Sequence, residues 1–231
     1  MKVIEKLKSV YNKKGSYFLI SELWKRIMPI RFVWNLNVME HHYEENAYRF
    51  LEKKYMPLLN KYKQSQTKKE YSTEPPIIWI CWLQGIENAP ELVKKCYESV
   101  LKNSKGCKVI LIDNENLKNY IEIPDYIEEH LRKKHMQFAQ YSDYLRLSLL
   151  SKYGGVWIDA TAMLSEPIPE ILLSKEIFCF KTSYLSVSKS VCSSWFLIAQ
   201  KDNLLINQVK YLMEEYWKRE KHLCNYYLFH L

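Results

Sequence analysis

From residue 75 onward the apolar positions follow two alternating rhythms, short unbroken runs and recurrences at helical spacing. Ile77 to Trp82 is one continuous apolar run, as a strand covered on both faces should be. Asn88-Ala-Pro90 then opens a helix through Leu92, Val93, Cys96, Tyr97, Val100 and Leu101, ended by Asn103 to Gly106. Val109 to Ile112 predicts a second buried strand that closes on Asp113. A short helix near Glu115 to Tyr120, a Pro124-led helix to Arg132 and a long helix from about Phe138 to Tyr153 come next. Gly154-Gly155 stops the long helix, and Val156 to Ile158 is a third strand. Strands are expected again at Ile177 to Phe180 and Trp195 to Ala199, and helices at Asn203 to Trp217 and from His222 onward. Repeated βαβ alternation predicts an α/β layered domain with a mainly parallel sheet.

Ahead of the Pro75-Pro76 pair the rhythm is helical throughout. Val3, Ile4, Leu7, Val10 and Tyr11 recur at helical spacing with Lys2, Lys6, Lys8 and Lys13 between them. Clusters at Tyr17 to Ile20, Leu23, Trp24, Ile27 and Met28, then at Tyr48, Phe50, Leu51, Tyr55 and Leu58, extend the pattern, and Lys61 to Glu70 is a polar linker. Charge sharpens this division. The chain carries a formal +8, and 15 basic against 8 acidic residues before Pro75 place +7 of it there. The expected organisation is a basic amphipathic helical extension over 1–74 followed by the α/β domain over 75–231. Basic residues beside an apolar stripe suit an anionic membrane surface, each contributing about 1 kcal/mol near the headgroups. The alternative is helices packed on the body with lysines turned to water. No recognition helix or RNA-binding aromatic motif accompanies the charge, which argues against nucleic acid.

Five glycines in 231 residues leave no Gly-x-Gly-x-x-Gly turn and no P-loop, excluding those dinucleotide and nucleoside-triphosphate sites. Six cysteines without a Cys-x-x-Cys pair, and no secretory leader pattern, read as reduced thiols in a cytoplasmic protein. Apolar runs fall far short of the roughly 20 residues a spanning helix needs, so any membrane contact is expected to be peripheral, on the inner face. The chain stops at Leu231 inside an aromatic pattern (Tyr226, Tyr227, Phe229), which leads us to expect either a truncated end or an oligomeric contact that buries it.

Residues 141 to 161 carry the chemistry. Asp143, Arg146, Leu147 and Leu150 share a helical stripe, so a carboxylate and a guanidinium lie among buried leucines. Such charges cost free energy unless paired or used, the plain alternative being a local helix ion pair. Asp159 follows the third strand at its carboxyl end, where open α/β sheets place their ligands. Trp79 is read as core in preference to ligand contact. Asp113 either meets a ligand or forms a turn, and Glu87 and Asn88 border the same crevice. His41, His42, His130 and His135 are read as surface or helix-end residues.

These residues resemble a known pattern. Ser-Asp-x-x-Arg (Ser142, Asp143, Arg146), a helix, then Gly-Gly-x-x-x-Asp (Gly154, Gly155, Asp159), preceded by Trp-x-x-Trp-x-x-Gly (Trp79, Trp82, Gly85), is similar to the capsular polysaccharide synthesis proteins and the related small retaining glycosyltransferases of GT-A, Rossmann-like fold. The resemblance covers Pro75 to His230, about two thirds of the chain. It implies transfer of a sugar, with retention, from a nucleotide-sugar donor, a UDP-sugar by expectation, onto a lipid-linked or polysaccharide acceptor. Trp82 would stack on the base, and Asp143 and Arg146 would meet the ribose, sugar and phosphate. Gly85, Ser142, Gly155 and Thr161 would line the donor site. Asp159, with His230, would hold Mn²⁺ or Mg²⁺ against the diphosphate. The pattern departs at Thr161, where the fuller motif has a second Asp, and at Asn225, where an Asp is expected. An inactive nucleotide-sugar-binding or membrane-docking member of the same fold is therefore the alternative.

Overall fold

The computed structural model describes residues 45–62, 75–181, 192–224 and 228–229. Its centre is a five-stranded sheet, β1 (Ile77–Cys81), β2 (Lys108–Ile112), β3 (Gly155–Ile158), β4 (Ile177–Lys181) and β5 (Cys192–Ala199), in the order β2-β1-β3-β5-β4. β1 pairs parallel to both β2 and β3. β5 runs antiparallel to both β3 and β4, so four strands point one way and β5 the other. The α/β expectation holds, with β5 set antiparallel in the sheet. β1 steps outward to β2, and the chain then returns across β1 to β3. The carboxyl ends of β1 and β3 therefore form the switch point where such sheets open a crevice.

The helices are α1 (45–55), α2 (Glu91–Lys102), α3 (Leu117–Tyr120), α4 (Asp125–Arg132), α5 (Phe138–Tyr153), α6 (Glu170–Leu173) and α7 (Leu204–Arg219). They lie on both faces of the sheet, as the uninterrupted apolar run of β1 requires. Trp79, Ile110, Ile112, Trp157, Leu197 and Ala199 pack against α5 and α7 on one face. Ile78, Ile80, Val156, Ile158, Phe196 and Ile198 pack against α2 and the Ile168 to Leu173 segment on the other. Period-two alternation along each strand separates the two cores. α5 is the central helix. Tyr141, Tyr144, Leu145, Leu147, Leu149 and Leu150 are all buried, which takes it well beyond a single apolar stripe.

α5 ends at Gly154, whose φ of +69° and whose N–H bond to the Leu150 carbonyl at 2.9 Å close the last turn. Gly155 opens β3 at φ +102°. A Cβ there would lie 2.3 Å from the carbonyl oxygen of Ile77, so only glycine lets β3 close onto β1 at this point. Trp79, fully buried, donates its indole N–H to the Gly154 carbonyl at 2.8 Å and fixes the same junction, which settles its place as core.

Tyr55 of α1 is 2% exposed and belongs to the main core, its ring 5.5 Å from that of Tyr216 in a tilted contact and its hydroxyl donating to Glu220 Oε1 at 2.7 Å. Part of the basic extension is thus packed into the body. The helix expected from His222 does not form among the described residues, where 221–224 are bends and 228–229 a turn. The Tyr216 hydroxyl donates to the His222 carbonyl at 2.6 Å and accepts from the Cys224 N–H at 2.7 Å, satisfying backbone groups that a helix would otherwise pair. His130 lies in the last turn of α4, as expected of a helix-end histidine, and both it and His135 are half-buried. His130 Nε2 lies 2.7 Å from the Trp217 carbonyl, and the two imidazoles lie 5.5 Å apart. His41, His42 and residues 1–44 as a whole lie outside the described residues.

Candidate functional site

Alternation in β3 puts Trp157 on the α5 face, and Asp159, two residues on, extends that register: its N–H bonds the Trp195 carbonyl at 2.8 Å, continuing the β3–β5 pairing. α5 lays Asp143 and Arg146, one turn apart, over the same face. Arg146 Nη1 donates to Asp143 Oδ1 at 2.6 Å and Nη2 to Asp159 Oδ1 at 2.8 Å. The Trp157 indole N–H donates to the same Asp159 oxygen at 2.6 Å. The guanidinium carbon sits 5.0 Å from the Trp157 ring and 5.3 Å from that of Phe229. Both separations are within cation–π range.

Access differs sharply among the three charges. Arg146 is 3% exposed, Asp143 14% and Asp159 34%. The cluster therefore opens to solvent through Asp159, while the guanidinium is the buried post that holds both acids. Two donors fix Asp159 Oδ1, and neither uses Oδ2. Two carboxylates around one guanidinium carry a formal net negative charge in a poorly solvated place. Burial is the dominant influence on Asp143; together with the charge of Asp159 it outweighs the stabilising guanidinium and pushes the carboxyl up to about 6. Chemically the site presents acceptor oxygens for hydroxyl groups at Asp143 and one hard oxygen ligand at Asp159.

The remaining sequence-derived residues fall unevenly around this cluster. Trp82 follows β1 directly, its backbone N–H bonded to the Ile112 carbonyl at 2.9 Å; its indole is half-buried, with a buried N–H that finds no partner among the described residues. The Cys81 thiol beside it is pushed up to about 12, by burial first, with Arg146, Asp159 and Asp113 all in electrostatic reach, which places the end of β1 at the cluster. Gly85, at φ +79°, turns the chain after β1, and its N–H bonds the Trp82 carbonyl at 3.0 Å. Ser142 precedes Asp143 and is half-buried, while Thr161 is exposed within the turn closed by the Ala162 N–H on the Asp159 carbonyl at 2.8 Å.

Gly155 opens β3 whereas Asp159 follows its other end, about 13 Å away at strand rise, and the missing side chain of Gly155 is what lets β3 close onto β1. Asp113 is a turn former: its Oδ1 accepts the N–H groups of Glu115 and Asn116, both at 2.9 Å. Glu87 and Asn88 lie in a short 3₁₀ turn after Gly85, with Asn88 Nδ2 donating to the Gln84 carbonyl at 2.9 Å. Asn225 and His230 lie outside the described residues. Sequence reasoning missed Trp157 and Phe229. Trp157 was within reach, because an indole two residues before a strand-end aspartate shares its face. Phe229 carries no local signal, since it meets Arg146 only through tertiary folding.

Among the described residues no three His, Cys, Asp or Glu side chains gather as a metal cage. Among the described residues of the cluster, Asp159 is the carboxylate most open to solvent, and one carboxylate with substrate phosphates and water is a donor set that suits a divalent cation. No disulfide joins the six cysteines.

The described residues thus form a mixed α/β domain with an acid–guanidinium–acid cluster at the switch point of its sheet. The chain belongs to the capsular polysaccharide synthesis protein family, whose model it matches over residues 31–231. That match reaches well ahead of Pro75, in keeping with Tyr55 in the core. A protein of Acanthamoeba polyphaga mimivirus described as an uncharacterized glycosyltransferase is 31% identical over 101 residues. The matched stretch spans 42% of this chain and only 39% of that relative's length. A solved structure, PaToxG Glycosyltransferase, aligns with 84% of this chain and 77% of its own at 17% identity and a TM-score of 0.46.

Proposed function

We propose that this protein is a GT-A-type glycosyltransferase that moves a sugar from a nucleotide-sugar donor, a UDP-sugar by expectation, onto a capsular or surface-polysaccharide acceptor with retention at the anomeric carbon. The observation that carries the reading is the Asp143–Arg146–Asp159 cluster at the carboxyl ends of β1 and β3. Membership of the capsular polysaccharide synthesis family supports it. The name of the mimivirus relative points the same way.

In this reading the base stacks on Trp82, and Asp143 accepts hydrogen bonds from ribose or sugar hydroxyls. Arg146, with both Nη groups directed at protein carboxylates, holds the two acids in place. Asp159 would hold Mn²⁺ or Mg²⁺, which supplies charge neutralisation for the departing diphosphate. The bond from the anomeric carbon to the phosphate oxygen breaks, and the acceptor hydroxyl attacks from the same face and gives up its proton to the departing diphosphate oxygen. Gains come from positioning and from charge stabilisation. Calorimetry with UDP should give binding that tightens at least about tenfold when Mn²⁺ is added. No binding in either condition overturns the reading. UDP binding with no hydrolysis of any nucleotide sugar establishes instead a silent binding member, the reading that Thr161 favours.

Among the described residues no helix is long and apolar enough to cross a membrane. The basic amino-terminal segment is proposed to rest on an anionic membrane surface and to bring the site to a lipid-linked acceptor. Removing the residues before Glu40 should abolish sedimentation with phosphatidylserine vesicles while leaving UDP binding intact; unchanged sedimentation sinks the membrane proposal.

A further inference from the structure

Three imidazoles from separate stretches of the chain meet beside the end of α4. The helix gives way to a turn with Lys134 at φ +58°, and the His130 carbonyl accepts the N–H groups of His135 at 2.9 Å and Met136 at 3.2 Å, which brings His135 back to His130. Those two rings lie 5.5 Å apart. His222, in the bend after α7, sets its ring 5.8 Å from that of His135, edge to face. Trp217 of α7 backs the group, its fully buried indole 5.2 Å from the His130 ring.

The hydrogen bonding of the group suits neutral rings. A carbonyl oxygen only accepts, so the His130 Nε2 that lies 2.7 Å from the Trp217 carbonyl carries its hydrogen, and in the neutral ring Nδ1 is a bare acceptor. That Nδ1 is buried without a partner, and so is Nδ1 of His222. An imidazolium carries hydrogen on both nitrogens, so a proton added to either ring becomes a buried donor with nothing to accept it. The Trp217 indole N–H is buried and unpartnered as well, so no acceptor is offered from that side.

Neighbouring charges oppose protonation too. His135 meets the fields of His130, His222, Lys133 and Lys221, and with burial as the largest influence its imidazole is held below its ordinary 6.5. Glu129, the carboxylate in electrostatic reach of His130, is committed to Lys133 at 2.5 Å. Glu220, two residues before His222, is taken by Tyr55 and Lys54 of α1, and on α7 Lys218 and Arg219 turn to Glu215. The stretch that His222 anchors is held otherwise by the Tyr216 hydroxyl, at the His222 carbonyl and the Cys224 N–H. Seven residues beyond His222 the same chain supplies Phe229, whose ring flanks Arg146.

We propose that His130, His135 and His222 form an acid-sensitive clasp, which holds the chain after α7 on the body while the rings are neutral and releases it when they take up protons. The sign follows from linkage. An imidazole whose folded pKa lies below its unfolded one binds its proton more tightly once released, so docking is complete above about 6.5 and weakens as pH falls below it. Asp143 works in the opposite sense, its raised carboxyl favouring the folded state on acidification, so it cannot produce the same loss. The clasp does not depend on what the Asp159 cluster binds.

Hydrogen exchange of the full chain, followed by mass spectrometry at pH 7.5, 6.5 and 5.5 and corrected for intrinsic exchange, tests it. Protection of the amides at 221–224 should fall at least about tenfold from pH 7.5 to 5.5, the change that uptake of one proton gives over one pH unit, while the amides of β3 stay within about threefold. His135→Gln and His222→Gln, which keep a polar side chain that takes up no proton, should each hold the fall at 221–224 within about threefold. Should one of the two changes disturb folding, the other carries the comparison. Equal protection at pH 7.5 and 5.5 in the unaltered chain overturns the clasp. So does a loss shared equally by β3, which would be general unfolding, or a folded Gln variant that keeps the full pH response.

Discussion

Asp159→Asn is expected to lower hydrolysis of the cognate donor at least about a hundredfold while moving the melting temperature by only a few degrees. The two consequences separate because Asp159 does two things with different atoms. Its Oδ1 accepts from Arg146 Nη2 and the Trp157 indole, and an amide oxygen in the same place can accept both. The negative charge, carried toward solvent by a side chain 34% exposed, is what a divalent cation and a diphosphate would require, and the amide lacks it. Asp159→Ala would blur the result by orphaning two buried donors at once. Donor hydrolysis by both variants, measured with and without Mn²⁺ beside thermal melts, checks the prediction. Asn at position 159 with undiminished hydrolysis would remove Asp159 from the reaction.

How far the sequence reaches can be seen in the cluster itself. Asp143 and Arg146 are one helical turn apart, and Asp159 follows an apolar strand behind a glycine stop, so local spacing was enough to single out all three. Their mutual contact was not legible: it depends on the face to which β3 alternation sends Asp159, and on α5 lying across the sheet at that point. The same limit hid Phe229, which reaches Arg146 from more than 80 positions away. Gly155 was legible as part of a motif, but the closure of β3 onto Ile77 that requires a glycine there depends on a partner strand nearly 80 positions away. Helix and strand placement was read well wherever apolar runs were long. It failed at His222, where one buried phenol captures the backbone, an effect with no periodic signature.

Arg146→Leu is expected to be the most damaging single change to the fold, costing about 3 to 5 kcal/mol at pH 8, the range for removing one partner of a buried ion pair. Two carboxylates would face each other with no cation between them, and the Trp157 and Phe229 rings would lose the charge they flank. The loss should depend on pH in a defined direction. In the native protein burial already raises the Asp143 carboxyl from its ordinary 3.8 to about 6, and Arg146 is the influence pulling it down. A carboxyl whose folded pKa lies above its unfolded one binds its proton more tightly in the folded state, so stability falls as pH rises through that interval. For the unaltered protein the interval is about 4 to 6. Without the guanidinium its upper limit moves higher, and Arg146→Leu should be appreciably more stable at pH 5 than at pH 8. Adding Asp143→Asn should restore much of the loss at pH 8 and flatten the profile, since the amide leaves a single charge in the cluster. Urea unfolding of the two single variants and the double variant across pH 5 to 8 measures the coupling directly. If Arg146→Leu has the same stability at both ends of that range, Asp143 is not the group that Arg146 holds charged, and the pairing with Asp159 carries the loss instead.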